Sequence, residues 1–165
     1  MTPESFKLEP NDAIPNNPRL PVLHYRRVLA PFETSAEALE TLFRRNGWPP
    51  QWRNGIFDYH HYHSTAHEAL GVAAGSARVM LGGPGGREAE LAAGDVVVLP
   101  AGTGHCLVEA RDGFLVVGAY PEGQEWDLRR DGADRETLAA IAAVPRPAFD
   151  PVGDMEGAIF QLWPS

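Results

Sequence analysis

Five of the six histidines fall in two short stretches of the chain. His60, His61, His63 and His67 lie within eight residues of one another, Glu68 follows at once, and His105 stands after a Pro-Ala-Gly-Thr-Gly turn. Imidazole is the commonest protein metal ligand, so clustered histidines beside a carboxylate read as a coordination sphere, provided the chain folds so that they meet. Residues two apart on a strand share a face. His61 and His63 therefore point together, and His60 and Tyr62 point the other way. Ser64 to His67 is a short polar link. The run Glu68-Ala69-Leu70-Gly71-Val72 would then pair antiparallel with the histidine run and return a carboxylate to the two imidazoles. His67 is the internal rival, able to replace Glu68 if the turn is longer. His60 reads as surface or subunit contact, and the isolated His24 carries no chemical role.

These side chains need a frame of strands. The 17 glycines and 15 prolines are spread as punctuation between apolar runs, a pattern of many short strands and turns. Residues 1–20 read as an irregular arm and Pro21 to Tyr25 as a short edge strand. A helix is expected from about Ser35 to Asn46, with Thr34 and Glu37 as a capping box, Leu39, Leu42 and Phe43 on one face, and Gly47 as its stop. Strands are expected over Ser76–Leu81, Val96–Leu99 and Phe114–Tyr120, with Gly82 to Gly86 as a plain hairpin connection. A second helix spans Asp134 to Ala143, halted by Pro145. An extended tail would lay Phe160 and Trp163 over a sheet face. Strands in the middle and helices at the ends suggest a small barrel or sandwich. If the alternation holds, its interior includes Phe57, Tyr59, Leu70, Val72 and Val117, and Tyr59, on the face of His61, is a candidate substrate contact.

Composition narrows the partners. A net charge of -8 over 165 residues argues against nucleic acid. The chain contains no apolar run long enough to span a bilayer, and its start lacks a signal-peptide pattern, so no membrane partner and a cytoplasmic location are expected. The single cysteine, Cys106, excludes an internal disulfide and reads as a buried structural thiol. No G-x-S-x-G elbow, H-E-x-x-H helix or dinucleotide fingerprint is present.

Gly55, His61-x-His63, Glu68 and Gly75 resemble the first signature of the cupin superfamily in residue type and spacing. Gly94, Pro100-x-Gly102 and His105 resemble most of the second, whose usual closing Asn is here Glu109. The stretches WRNGIFDYHHYHSTAHEALGVAAG, AGDVVVLPAGTGHC and VVGAYPEGQEWD are similar to the bacterial YjlB-like cupins. The resemblance implies an all-β fold, a double-stranded β-helix or jelly-roll barrel with an N-terminal arm and helix (1–50), a barrel core (51–125) and a C-terminal helix and tail (126–165). It also implies that His61, His63, Glu68 and His105 ligate one metal. Three imidazoles and a carboxylate suit an octahedral ion with two open positions, Fe, Mn, Ni or Co, with Zn possible. The expected function is that of a metal-dependent enzyme on a small polar metabolite, of oxygenase or isomerase type. The alternative is a non-catalytic small-molecule or metal-binding module, with a site lacking an open coordination position or a pocket blocked by a side chain such as Tyr59 or Phe57. A homodimer, paired through the arm and the strand carrying Tyr62, is a further expectation.

Overall fold

The computed structural model describes residues 1–165. Its seven strands, all paired antiparallel, are β1 (Glu4–Phe6), β2 (Val22–Tyr25), β3 (Pro50–Asn54), β4 (Glu68–Leu81), β5 (Arg87–Ala92), β6 (Val96–Leu99) and β7 (His105–Ala119). They form one sheet in the order β1-β2-β6-β4-β7-β3, with β5 added to β4. The helices are α1 (Ala36–Arg45), α2 (Arg135–Ala143) and the short α3 (Ile159–Leu162).

The sheet is curled, and β4 and β7 show how far. Their ladder pairs Ala69 with Ala119 at one end and Leu81 with His105 at the other. Glu68 and Leu81 would lie roughly 40 Å apart on a flat strand. Yet Glu68 Oε1 is 3.1 Å from His105 Nε2. The ladder reaches this closure through register shifts between Val72 and Ala74, Ala74 and Ser76, and Arg78 and Val79, since each bulge bends and twists a strand. Gly75 sits among them at φ +71°, where an added Cβ would lie 2.4 Å from the Arg111 carbonyl oxygen. Only glycine serves there.

The two faces of the curl carry separate cores. Leu70, Val72, Val79, Leu91, Val97 and Val116 pack together inside. Leu23, Leu39, Phe43, Trp48, Val117 and Trp163 pack outside, between the sheet, α1 and the tail. Val117 therefore faces α1, one residue out of phase with the expected interior set, because β7 reaches this end after its bulges. Gly71, paired with Val117, lets α1 approach: a Cβ there would be 2.9 Å from the Phe43 ring.

Local expectations held with instructive exceptions. Asp134 caps α2 through Thr137, and Gly82 to Gly86 links β4 to β5 as a hairpin. In α1 the cap is Ser35, whose side chain accepts from Ala38 N–H at 3.0 Å, whereas Thr34 Oγ1 donates to the Ala30 carbonyl. β2 is no edge strand, because β1 pairs with its other side. Tyr62 is fully buried and its hydroxyl donates to the Asp131 carbonyl at 2.9 Å, so it offers no surface for a second copy. The tail buries Trp163 as expected but through turns and α3 rather than as an extended segment.

His24 has a structural task. Its Nε2 is 2.9 Å from Asp95 Oδ2 at the β5–β6 corner, and Asp95 also accepts from the Arg27 and Ala92 backbone N–H groups. Burial alone would raise the Asp95 carboxyl; the hydrogen bonds from His24, Arg27 and Ala92 override it and hold the pKa below the ordinary value. A lowered folded-state pKa stabilises the fold above the unfolded value of about 4, and that contribution is lost as pH falls through the folded value. Asp95→Asn is therefore expected to lose about 1–3 kcal/mol at pH 7 and to decline less steeply below about pH 4. Urea denaturation across pH checks this; an acid limb as steep as the parent's would refute it.

Candidate metal centre and its cavity

The site is assembled where the His61–His63 segment, the start of β4 and the start of β7 converge. His61 and His105 form a cross-strand bridge, His61 N–H donating to the His105 carbonyl at 3.2 Å and His105 N–H to the His61 carbonyl at 2.9 Å. The histidine segment thus pairs with β7 and not, as the sequence suggested, with the Glu68–Val72 run, which pairs with β6 and β7. Glu68 arrives by the curl of the barrel. The turn before His105 is clamped on both sides. Gly102 N–H donates to the His63 carbonyl at 2.8 Å, Gly104 N–H to Asn16 Oδ1 at 3.0 Å, and Asn17 Nδ2 to the Ala101 carbonyl at 2.9 Å. The N-terminal arm is part of the site's scaffold.

His63, Glu68 and His105 offer ligand atoms that all lie within 4.8 Å of one another, and all three side chains are buried. Glu68 Oε2 is 3.2 Å from His63 Nε2 and Oε1 is 3.1 Å from His105 Nε2. His61 stands beside this group, its ring centroid 4.0 Å from that of His105. The Nδ1 atoms follow one plan: His61 to the Tyr59 carbonyl at 2.9 Å, His105 to the Thr103 carbonyl at 3.1 Å, and His63 to the Asp127 carbonyl. A carbonyl only accepts, so each Nδ1 carries a proton and, in the neutral imidazole, Nε2 presents its lone pair. This is the outer bonding that orients metal-binding histidines.

Electrostatics agree with the geometry. Burial and then the neighbouring His105 push the His61 pKa down to about 3, keeping the ring neutral and its lone pair free of a proton. Burial would likewise depress His63, but the Glu68 carboxylate outweighs it and raises the value. Burial would raise Glu68, and the His63 and His105 imidazoles hold it well below the carboxylate range. Glu68 is 2% exposed, and its Oε1, despite the nearby His105, receives no well-directed hydrogen bond. A buried carboxylate oxygen without a directed donor, facing imidazoles whose other nitrogens are already bonded, fits a cation.

His67 does not compete. It points away from the group, fully buried, with Nδ1 accepting from Ala101 N–H at 2.9 Å and its ring centroid 4.8 Å from that of Trp163. Burial pushes its pKa down to about 4. His60 is half-buried, outside the group. Cys106 is the buried free thiol expected, and burial raises its pKa. Glu109, at the departure from the second signature, pairs with Arg78 on an exposed face.

Beside the group opens a cavity of about 370 Å³, lined by His61, His63, Glu68 and His105 on one side and by residues of β3, β4 and β7 and the segments after them on the others. Tyr59 is not among the lining residues; its ring stacks on Phe57 at 4.9 Å and lies under the Arg130 guanidinium. Phe57 reaches the cavity but is 48% exposed, at the rim and not in a core. The sequence reading missed Tyr120, whose hydroxyl donates to Glu68 Oε2 at 2.5 Å and accepts from Trp52 Nε1 at 2.9 Å. It also missed Asp127, which holds His63 through its carbonyl and Ser64 through its carboxylate. Both lie in the VVGAYPEGQEWD stretch, where an aromatic and an acid close behind an apolar strand were the available signal.

Comparison with known proteins agrees with this architecture. The Cupin domain family matches residues 51–117. The protein YjlB of Bacillus subtilis (strain 168), itself described as uncharacterized, is 33% identical over 157 residues, 93% of each chain. Among solved structures, an acireductone dioxygenase from Bacillus anthracis with a cadmium ion in its active center is 16% identical, covering 64% of this chain and 80% of that one at a TM-score of 0.41. Vicilin from Solanum lycopersicum (tomato) is 17% identical, covering 73% of this chain and 32% of that one at 0.39. Likenesses at this level say nothing of chemistry. The Cupin domain match and the near full-length relationship to YjlB establish that the chain belongs to the YjlB family of cupins.

Proposed function

We propose that this cupin is a metal-dependent enzyme in which His61, His63, Glu68 and His105 hold one divalent first-row transition ion, Fe, Mn, Ni or Co, and the adjoining cavity receives a small molecule. The observation that carries the reading is the buried Glu68 Oε1, without a directed donor and set among imidazoles whose Nδ1 atoms are occupied by backbone carbonyls. A bound ion of this kind supplies Lewis-acid polarisation of a coordinated oxygen and, when redox-active, access to dioxygen chemistry, so oxygenase or isomerase reactions suit it. The chain's own residues do the positioning. Tyr120 fixes Glu68 Oε2 and is itself fixed by Trp52. His61 stays neutral through burial. Apolar walls limit water beside the ligands.

A non-catalytic binding module would show a site without an open coordination position, or a pocket blocked by a side chain such as Tyr59 or Phe57. Tyr59 lies outside the cavity lining and Phe57 at its rim, which favours the enzyme reading. Elemental analysis of protein purified without a histidine tag, beside a His61→Ala/His105→Ala double variant, is the test. The expected result is near-stoichiometric Fe, Mn, Ni or Co in the parent and none in the variant. A parent without metal even after anaerobic reconstitution would remove the basis of the proposal.

A further inference from the structure

The walls of the cavity narrow what it can accept. Tyr120 and Trp126 stack nearly parallel, with centroids 5.3 Å apart and an interplanar angle of 17°. Both rings meet His63 edge-on at 5.7 Å, so a flat aromatic wall begins at the candidate metal ligands. Trp52, Ile56 and Leu128 extend the apolar surface, and away from the histidines and Glu68 the polar groups of the lining are the uncharged Gln51 and Asn54 side chains, the Tyr120 hydroxyl and the indole N–H groups.

No arginine or lysine lines the cavity. The nearby cations are committed elsewhere. Arg53 forks onto Glu40 at 2.7 and 2.8 Å, Arg129 pairs with Asp127 at 3.2 Å, and Arg130 covers Tyr59 at 3.7 Å. Away from the metal, a phosphate or a second carboxylate on the ligand would find no counter-charge in the cavity wall. At the mouth, Trp126 is 45% exposed and Leu128 44%. Large apolar side chains left half in water around a concave site mark a surface that a ligand covers.

We propose that the cavity selects a small molecule with an oxygen-donor head for the metal and a flat, uncharged, aromatic body that stacks on Trp126. The inference rests on the metal reading above and adds the class of compound. Its test uses calorimetric titration of the Ni- or Mn-loaded full chain with three chelators: benzohydroxamic, acetohydroxamic and phosphonoacetohydroxamic acids. The aromatic chelator is expected to bind about tenfold or more tighter than acetohydroxamic acid, and the phosphonate no tighter than acetohydroxamic acid. In Trp126→Ala, which removes a side chain 45% exposed at the mouth and is checked for an unchanged thermal midpoint, the aromatic advantage should fall to near parity. Equal affinities in the parent, an advantage that survives Trp126→Ala, or a preference for the phosphonate would each overturn the proposal while leaving the metal site standing. A parallel titration of the metal-free chain with benzamide, read by tryptophan fluorescence, separates the two readings. Quenching that Trp126→Ala abolishes, in a protein that takes up no metal, would keep the aromatic slot and sink the metal. No quenching in that protein would sink both.

Discussion

Glu68→Ala will strip the protein of metal, whereas His67→Ala will leave metal content at the parent's level and lower stability instead. The two residues are adjacent in sequence and both buried, but they serve different partners. Glu68 sits between His63 and His105 with an oxygen lacking a directed donor. His67 accepts from Ala101 N–H and packs on Trp163. Removing the His67 ring leaves a cavity and an unsatisfied buried N–H, a loss of about 2–4 kcal/mol. Tyr120→Phe supplies the intermediate case. It deletes only the hydroxyl that steadies Glu68 Oε2, and losing such an outer partner weakens metal binding by roughly 10–100-fold; Glu68→Ala should exceed that. Elemental analysis, chelator competition and denaturant titration of the three variants check the set. Metal retained in Glu68→Ala and lost in His67→Ala would reverse the ligand assignment.

The second large effect concerns stability away from the site. Asp150 is fully buried, and its carboxylate accepts from Tyr25 Oη at 2.7 Å and from the Val152, Gly153 and Ile159 backbone N–H groups at 2.7, 2.9 and 3.2 Å. Burial and the adjacent Asp150 carboxylate push the Tyr25 phenol's pKa up, so its proton stays on as the donor. Tyr25 Oη in turn accepts from Ala158 N–H at 3.0 Å, which ties the tail to β2. Asp150→Ala strands several buried donors at once and is expected to lose about 3–5 kcal/mol, or roughly 10 °C in Tm for a chain of this size. Metal content should be unchanged. Thermal and urea denaturation measure the first and elemental analysis the second; a loss below about 1 kcal/mol would mean that the tail is held by Trp163 packing rather than by this hub.

Features whose physics is local could be read directly from the chain. The spacing of His61, His63, Glu68 and His105 identified a set of residues that the fold does bring to one place, and Asp134, Gly47 and the Gly82–Gly86 turn marked boundaries because caps and turns depend on a few neighbouring residues. The resemblance of the chain's glycines and histidines to the cupin signatures implied the jelly roll, where patterning alone pointed to a small barrel or sandwich. The rest depends on long-range register. The bulges around Gly75 curl β4 and β7 until Glu68 meets His105 across the barrel, a closure that no local pairing of the His61–His63 run with Glu68–Val72 produces. The same bulges turn Val117 outward to α1 and Val116 inward. His67 and Glu68 are one residue apart and both could ligate a metal; the turn that lets Ala101 N–H take His67 and leaves Glu68 facing the imidazoles is fixed by a contact 34 residues away. Tyr120 and Trp126 became part of the site for the same reason. Their aromatic character was plain in the sequence, but the end of β7 and the segment after it reach the ligands only once the sheet has closed.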